Sequence, residues 1–388
     1  MTMNHQNPVG IGVIGCGHWG PNHIRVFAER ERSQVIIAAD SNPARLASIQ
    51  TRFPTTATTL DYRRVLDHPG VDAVVIATPT CTHFAIAAAA LQKGKHVLIE
   101  KPMCRSSAEA RKLVDLARQS NRVVMVGHVF LFNNGIRKLR EAIAGGQIGR
   151  LHYLDAVRTN LGPIRGDVNA LYDLGTHDIT IMNHLMNATP VAVSAIGRCI
   201  SQDSIEDVCF ATLRYADGTL GHIHVSWMNP HKVRTLTVIG DCQMAHWDDI
   251  DPENTLRLYD RCVAEPPAYN SFGEFQYLLR SADVHLPAIR RTEPLVNQAE
   301  AFLDWIIEGK TSPCGVDEGL QTALILEAAD RSMRQGGAQI PVMDTASGLL
   351  NESTALRRAV AFNDETMNRR PMADEASPLV GGARVAPQ

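Results

Sequence analysis

Three groups of residues in this 388-residue chain could do chemistry. The first is Gly15-Cys16-Gly17-His18-Trp19-Gly20, a G-x-G-x-x-G turn that follows the apolar run Val9 to Ile14 and precedes helical spacing at Ile24, Phe27 and Ala28. A strand entering a helix through such a turn lets the backbone approach a pyrophosphate, whose charge the free N–H groups of the helix start favour. Pro21 suits the first helical turn. A second apolar run, Val35 to Ala39, ends in Asp40, where a carboxylate would receive ribose hydroxyls and repel a 2′-phosphate. The glycines alone are a weak signal. With strand, helix and a placed acid, the segment reads as a dinucleotide site for NAD rather than NADP.

The second group is Glu100-Lys101-Pro102, at the end of a strand-like run where open α/β sheets hold their ligands. A lysine there reaches both cofactor and substrate. The third is LYDLGTHDITIMNHL, in which Asp173 and His177 are four apart and share one helical face, with Gly175 near the helix start. An Asp ahead of a helix is commonly a cap, and a lone helical His is commonly a packed partner, so structural and catalytic readings both stand. Asp178 and His184 lie in the same segment, but Asp178 directly follows His177 and points elsewhere, whereas zinc needs three or four converging ligands. No metal is expected. His222 and His224 alternate on a strand and share one side, either lining a cleft or covering a sheet.

Positioning these groups requires the elements around them. Strands at 9–14, 35–39, 71–77, 96–99 and 122–126 alternate with helices at 21–30, 43–50, 82–92 and 106–119, a pattern that specifies a doubly wound parallel sheet. After about residue 127 the pattern changes. Following a helix near 134–144, strands are expected at 150–158, 191–200, 206–215, 219–227 and 232–239, with a helix at 176–187 and later helices near 295–308 and 316–335. Asp217-Gly218 between alternating strands is a hairpin signal. The expected organisation is a Rossmann domain over 1–127, then an α+β domain over 128–343 with an open, mostly antiparallel sheet. The polar segment 344–388 reads as a mobile tail, with one short helix over 349–360 as an option.

Bulk properties narrow the function. Thirty-eight basic and 41 acidic side chains are close to balance, so neither a nucleic acid nor a membrane surface is expected as partner. No apolar run approaches the roughly 20 residues of a membrane span. The first apolar run is short and glycine-interrupted, unlike a signal peptide. Eight cysteines without a C-x-x-C pair read as reduced thiols in a cytoplasmic protein.

Taken together, these motifs resemble the Gfo/Idh/MocA oxidoreductases over about residues 9–340. The resemblance is carried by the glycine turn, Ala77-Thr78-Pro79 with His83, Gly94-Lys95-His96-Val97 leading into Glu100-Lys101-Pro102, and Asp173 with His177. It implies catalysis by Lys101, Asp173 and His177, a cis Lys101-Pro102 bond, and nicotinamide between the two domains. Cofactor contacts are then expected at Gly15, Gly17, His18, Trp19, Gly20, Asp40, Thr78, Pro79, His83, Glu100 and Lys101. In such a site His177 would take the hydroxyl proton, Lys101 would hydrogen-bond the developing alkoxide, and Asp173 would orient substrate or His177.

The turn Gly17 to Asn22 and the loop Arg158 to Tyr172 look most like members acting in sugar and nucleotide-sugar metabolism. Arg158 and Arg165 suit an anionic group, Asn160 and Asn169 suit hydroxyls, and an ordinary surface loop is the plain alternative. His128 stands where many relatives carry an aromatic and is a further candidate substrate contact. The resulting expectation is an NAD-dependent dehydrogenase of a sugar, nucleotide sugar or cyclitol, a homodimer or homotetramer through the second sheet. The alternatives are a tightly held NAD recycled within one turnover and a non-catalytic NAD-sensing protein.

Overall fold

A computed structural model describes residues 8–260 and 283–343. Strands β1 (Val9–Ile14), β2 (Ser33–Ala39), β3 (Ala57–Thr59), β4 (Ala73–Ile76), β5 (His96–Ile99) and β6 (Val124–Val126) form a parallel sheet in the order β3-β2-β1-β4-β5-β6. Every residue of β1 and β4 is buried, as strands covered on both faces must be. The covering helices are α1 (Gly20–Ala28), α2 (Pro43–Arg52), α3 (Tyr62–Asp67), α4 (Thr80–Gln92) and α5 (Ser107–Ser120). Ser106 caps α5 by accepting the Glu109 N–H at 3.2 Å. Because the strand order reverses between β1 and β4, the ligand crevice of this architecture opens at their carboxyl ends.

The second sheet has nine strands: β7 (Leu151–Leu161), β8 (Ala192–Arg198), β9 (Val208–Arg214), β10 (Leu220–Ser226), β11 (Met228–Gly240), β12 (Met244–Asp248), β13 (Leu256–Tyr259), β14 (Val284–His285) and β15 (Ile340–Pro341). Its order is β14-β13-β12-β11-β7-β10-β9-β8-β15. Only β10 and β7 run parallel; the remaining pairings are antiparallel. The β9–β10 hairpin turns at Gly218, whose φ of 90° favours glycine. Four helices accompany this sheet among the described residues: α6 (Asn134–Ala144), α7 (Thr176–Met186), α8 (Pro294–Glu308) and α9 (Val316–Arg334).

Helix α7 packs on one face of the sheet, where a Cβ at Gly221 would meet the Met182 sulfur at 2.8 Å. Helix α9 covers the same face, its Ser332 hydroxyl accepting the Ala195 N–H at 2.8 Å. The alternation along the strands leaves Tyr153, Ile196, Phe210 and Leu220 exposed on the opposite face. His224 lies on that opposite face, stacked on Phe210 with ring centroids 4.5 Å apart, so His222 and His224 cover the sheet and do not line the cleft.

The two halves are tied at several points. Arg25 of α1 meets Glu293 at 2.6 Å, Arg32 meets Asp304 of α8 at 2.7 Å, and Ser107 of α5 donates to Glu327 of α9 at 2.6 Å. Elements β3, α3 and β12 to β15 were not expected from the sequence, because each is short and lacks the continuous apolar run that marks β4 and β5. Segment 344–388, including the optional helix at 349–360, lies outside the described residues, as does Cys262. No disulfide joins the seven other cysteines among the described residues.

Candidate active site

Three turns meet at the carboxyl edge of the parallel sheet. Gly15 follows β1 with φ 96°, and a Cβ there would meet the Ala77 carbonyl oxygen at 2.5 Å. A Cβ at Gly20 would meet the Gly15 oxygen at 2.0 Å, which is why α1 can start so close to the strand. At Gly17 the nearest atom to such a Cβ is Arg45 Nη1 at 3.9 Å, so the turn is open toward its outer side. Glycine is thus forced twice by packing and once by access, and the open position fits a pyrophosphate approaching backbone N–H groups. Trp19 and His18 stand at the mouth of this cradle with rings edge to face at 5.4 Å.

Asp40 closes β2 almost fully buried, at 8% exposure. Its carboxylate accepts the Cys16 N–H at 2.7 Å and the Asn42 N–H at 2.8 Å, with Arg45 Nη1 at 3.4 Å. One group therefore fixes the glycine turn and keeps one further lone pair for a ribose hydroxyl. Burial pushes the Cys16 thiol up to about 12, which makes it an inert small side chain within the turn.

Thr78 and Pro79 follow β4, and Glu100 and Lys101 follow β5, on the same edge. His83 links the two turns: Nε2 lies 2.9 Å from the Thr78 oxygen and Nδ1 3.0 Å from the Pro102 oxygen. At 1% exposure it positions these turns through their backbones and corrects the expectation of a direct cofactor contact. Burial lowers its pKa against the opposing pull of the two carbonyls. Glu100 is likewise engaged beneath the edge, 2.9 Å from His23 of α1. Burial would raise its pKa, but the His23 hydrogen bond and the neighbouring Lys101 charge outweigh that and hold it low.

The Lys101-Pro102 peptide is cis, as the resemblance implied. Lys101 Nζ donates to the Asp173 carbonyl at 2.7 Å and lies 3.4 Å from Asp173 Oδ1. Burial lowers the pKa of this ammonium, and the Asp173 and Glu100 charges oppose the shift. Asp173 sits in a π-helical turn, Leu171–Gly175, immediately before α7. Such turns insert a residue into helical register and commonly mark functional positions. His177, in the first turn of α7, is 9% exposed and meets the Phe130 ring edge to face at 4.8 Å. Burial, with the Lys101 and Arg158 charges next, holds its imidazole well below the usual range and therefore neutral at physiological pH. A neutral imidazole and an ammonium beside one carboxylate thus stand together on the edge that carries the glycine turn, an arrangement capable of acid–base chemistry.

The loop residues divide. Arg165 reaches back to Asp173 Oδ1 at 3.2 Å while its other nitrogens grip Asp167 at 2.7 and 2.9 Å. Arg158 is no loop residue: it lies in β7 at 2% exposure, and Asp178 takes its Nε and Nη2 at 3.0 and 2.8 Å. With that guanidinium committed to a buried carboxylate, the expected substrate contact is corrected to a structural ion pair. Asn169 also departs from expectation, because Oδ1 accepts the Tyr172 N–H at 3.0 Å and Nδ2 donates to Glu206 at 3.0 Å. It shapes the π-helical turn. Asn160 lies half-buried near the end of β7. His128 is 1% exposed, and its pKa is pushed down to about 4, chiefly by burial with Lys101 adding to it.

Three residues of the site carry no signal in the sequence. Trp227 donates from Nε1 to Asp173 Oδ2 at 3.3 Å, so the carboxylate is held from both sides. Phe130 packs between His177 and the Arg158 guanidinium, whose carbon is 4.4 Å from the ring centroid. Arg234, directly opposite Arg158 across the β11–β7 pairing, stands 5.8 Å from the same ring and lowers the His177 pKa. Its side chain is 34% exposed, as is that of Arg165, so two partly open arginines flank the set. Only sheet register could have brought Arg234 to this position.

Known proteins match this arrangement. Residues 9–128 fit the model of an oxidoreductase family with an NAD-binding Rossmann fold, and residues 136–246 fit the GFO/IDH/MocA C-terminal domain. A UDP-N-acetylglucosamine 3-dehydrogenase of Acidithiobacillus ferrooxidans is 32% identical over 264 residues, 66% of this chain and 78% of that protein. The solved structure of a UDP-N-acetylglucosamine 3-dehydrogenase from that organism superposes with a TM-score of 0.72 at 27% identity, covering 85% of this chain and all of the other. Inositol 2-dehydrogenase 2 of Saccharopolyspora erythraea is 29% identical over 232 residues, 58% of this chain and 67% of its own. The matched models, the cradle and the acid–base set agree: the chain belongs to the Gfo/Idh/MocA oxidoreductases and is an NAD-binding oxidoreductase.

Proposed function

We propose that this chain oxidises a secondary hydroxyl of a nucleotide sugar, with Lys101, Asp173 and His177 as the catalytic groups. The observation that carries this reading is the Lys101–Asp173 contact beside a neutral His177, on the sheet edge that ends in the glycine cradle. NAD held by that cradle would accept the hydride leaving the hydroxyl-bearing carbon. His177 takes the hydroxyl proton, the Lys101 ammonium stabilises charge developing on the oxygen, and Asp173 orients Lys101. Arg165 and Arg234 are ion-paired to Asp167, Asp173 and Asp249, but at about one-third exposure each keeps unused N–H donors for a diphosphate at the rim, which favours a nucleotide sugar over a neutral sugar or cyclitol. The similarity to a UDP-N-acetylglucosamine 3-dehydrogenase supports the same class.

A panel of nucleotide sugars, free sugars and cyclitols, scored for NADH absorbance with bound cofactor measured on the same preparation, tests the reading. UDP-N-acetylglucosamine or a related nucleotide sugar should give NADH. Arg165→Ala and Arg234→Ala should raise KM for it far more than they alter NAD affinity. Turnover restricted to uncharged sugars would overturn the substrate class.

Asp40 supports NAD over NADP by at least about tenfold in affinity, equivalent to roughly 1.4 kcal/mol. Calorimetry should show that gap, Asp40→Ser should narrow it mainly by weakening NAD, and Arg45→Ala should widen it. Equal parental affinities would contradict the role of Asp40.

The domain boundary is placed after Gly127, and the uncovered face of the nine-stranded sheet is assigned to pairing with a second copy in a homodimer or homotetramer. An exposed patch containing Tyr153, Ile196, Phe210 and Leu220 supports that assignment. Light scattering on the parent should give two or four chains, and the double variant Phe210→Glu/Leu220→Glu should give one. A monomeric parent would exclude it. Seven cysteines without a disulfide among the described residues favour a cytoplasmic location.

A further inference from the structure

His128 follows β6 at the edge that carries Lys101, fully buried, and neither of its ring nitrogens has a hydrogen-bond partner among the described residues. Nδ1 of His177 is buried and unpartnered as well, which leaves Nε2 as the nitrogen that meets a substrate hydroxyl. For Nε2 to accept a proton, Nδ1 must carry one, and an N–H buried without an acceptor costs about 1–3 kcal/mol. Among the groups that act on His177, His128 has both ring nitrogens without a partner among the described residues, so it can supply that acceptor through water.

Beyond His128 lies a cavity of about 220 Å³, lined by His128, Thr180, Asn183, His184, Gln321 and Thr322 among others. Its lining is rich in neutral hydrogen-bonding groups, and its volume holds several waters at about 30 Å³ each. Asn187, Ala188, Pro313 and Glu318 also line it and are exposed, so the cavity reaches the surface. Thr180, one turn after His177 on α7, donates its hydroxyl to the His177 carbonyl at 2.9 Å and so ties the catalytic turn to the cavity wall.

We propose that His128 is a proton-relay residue, linked by ordered water to His177 Nδ1 on one side and to the waters of this cavity on the other. The inference rests on His177 being the base of the proposed dehydrogenase. Each oxidation of the hydroxyl to a carbonyl releases one hydride to NAD and one proton. The proton arrives at His177 Nε2, the Nδ1 proton passes through water to one nitrogen of His128, and the other nitrogen releases a proton to the cavity. Both rings return to their neutral tautomers when the protons rearrange. Lys101 and Glu100 face His128 from the β5 edge, His177 and His184 from α7. Arg105, Tyr172 and Glu327 share a narrower space with it, and Glu318 stands at the outer cavity. Lys101 and burial disfavour a lasting positive charge on either ring, so the relay passes its proton on.

Two measurements test this on the full chain. A high-resolution crystal structure of the parent should show ordered water hydrogen-bonded to both His128 and His177 Nδ1, continuing into the cavity. His128→Ala should bind NAD as the parent does and lose about tenfold to a hundredfold in kcat, below the loss for a direct base. Added imidazole should restore most of that loss, whereas His128→Leu, which fills the space, should not respond. His128→Asn, which keeps a polar side chain of similar reach, covers the case in which alanine prevents folding, and it should be as slow as alanine. A dry space between the two rings, or parental kcat in the folded variants, would overturn the relay. If the parent oxidises no sugar, the proposed function fails on that ground, while the water positions still decide the relay.

Discussion

Replacing His177 by alanine should lower kcat by on the order of 10² to 10⁴, the scale of a lost general base, while the protein stays folded and binds NAD. Lys101→Ala should give a loss of the same order, because the proposed role of the ammonium is to donate to the developing alkoxide. The separation follows from the geometry: the glycine cradle is built on β1 and α1, and neither Lys101 nor His177 contributes to its shape. Asp173→Asn keeps one oxygen, which can still face Lys101, but turns an NH2 toward the Trp227 donor, and it should cost less than Lys101→Ala if Asp173 only orients. The pH dependence is a second readout. As the proposed base His177 acts in its neutral form, and burial with Lys101 and Arg158 holds its pKa well below the ordinary imidazole value. The acidic limb of kcat therefore lies below the ordinary imidazole pKa of about 6.5, and it disappears in His177→Ala. Lys101 must keep its charge, and its lowered pKa places the alkaline limb below the ordinary lysine range. Near-parental kcat in both alanine variants, measured with NAD bound, would remove Lys101 and His177 from the chemical step.

Asp178→Ala is expected to destabilise the fold by about 3–5 kcal/mol, the scale for breaking a buried ion pair and leaving one charge unpaired. Both side chains are at most 3% exposed, and the guanidinium also lies on the Phe130 ring that abuts His177. The variant should melt well below the parent, and replacing both members, as in Arg158→Met/Asp178→Leu, should recover much of the loss. Unchanged melting in Asp178→Ala would mean that the pair is solvated. Cations near His177 are tolerable because Asp178 and Asp249 engage Arg158 and Arg234.

Much of this architecture is legible in the chain itself. The glycine turn can be read because packing forces Gly15 and Gly20 and the strand before them is uniformly apolar. Strands β4 and β5 announce the edge on which Lys101 stands, since buried parallel strands are continuous apolar runs. Asp173 and His177 are legible as a pair through helical spacing, but the π-helical turn that carries Asp173 is not, because no composition rule marks it. Arg158 misleads because a charged residue near a loop reads as solvated, and its partner Asp178 is twenty residues away in sequence. Arg234 and Trp227 are invisible for a related reason: each reaches the site through cross-strand register or a bend after β10, and a single sequence does not specify register between distant strands.

Direct hydride transfer from a hydroxyl-bearing sugar carbon, with His177 taking the proton, is the step on which the proposed activity depends. Its most direct test is mass analysis of NADH formed from a nucleotide sugar deuterated at its sugar-ring carbons, with parent and His177→Ala enzymes side by side. The NADH from the parent should carry one deuterium, and product formation in His177→Ala should be slowed by at least about a hundredfold. NADH without deuterium, or deuterated NADH formed as fast by His177→Ala as by the parent, would contradict this mechanism.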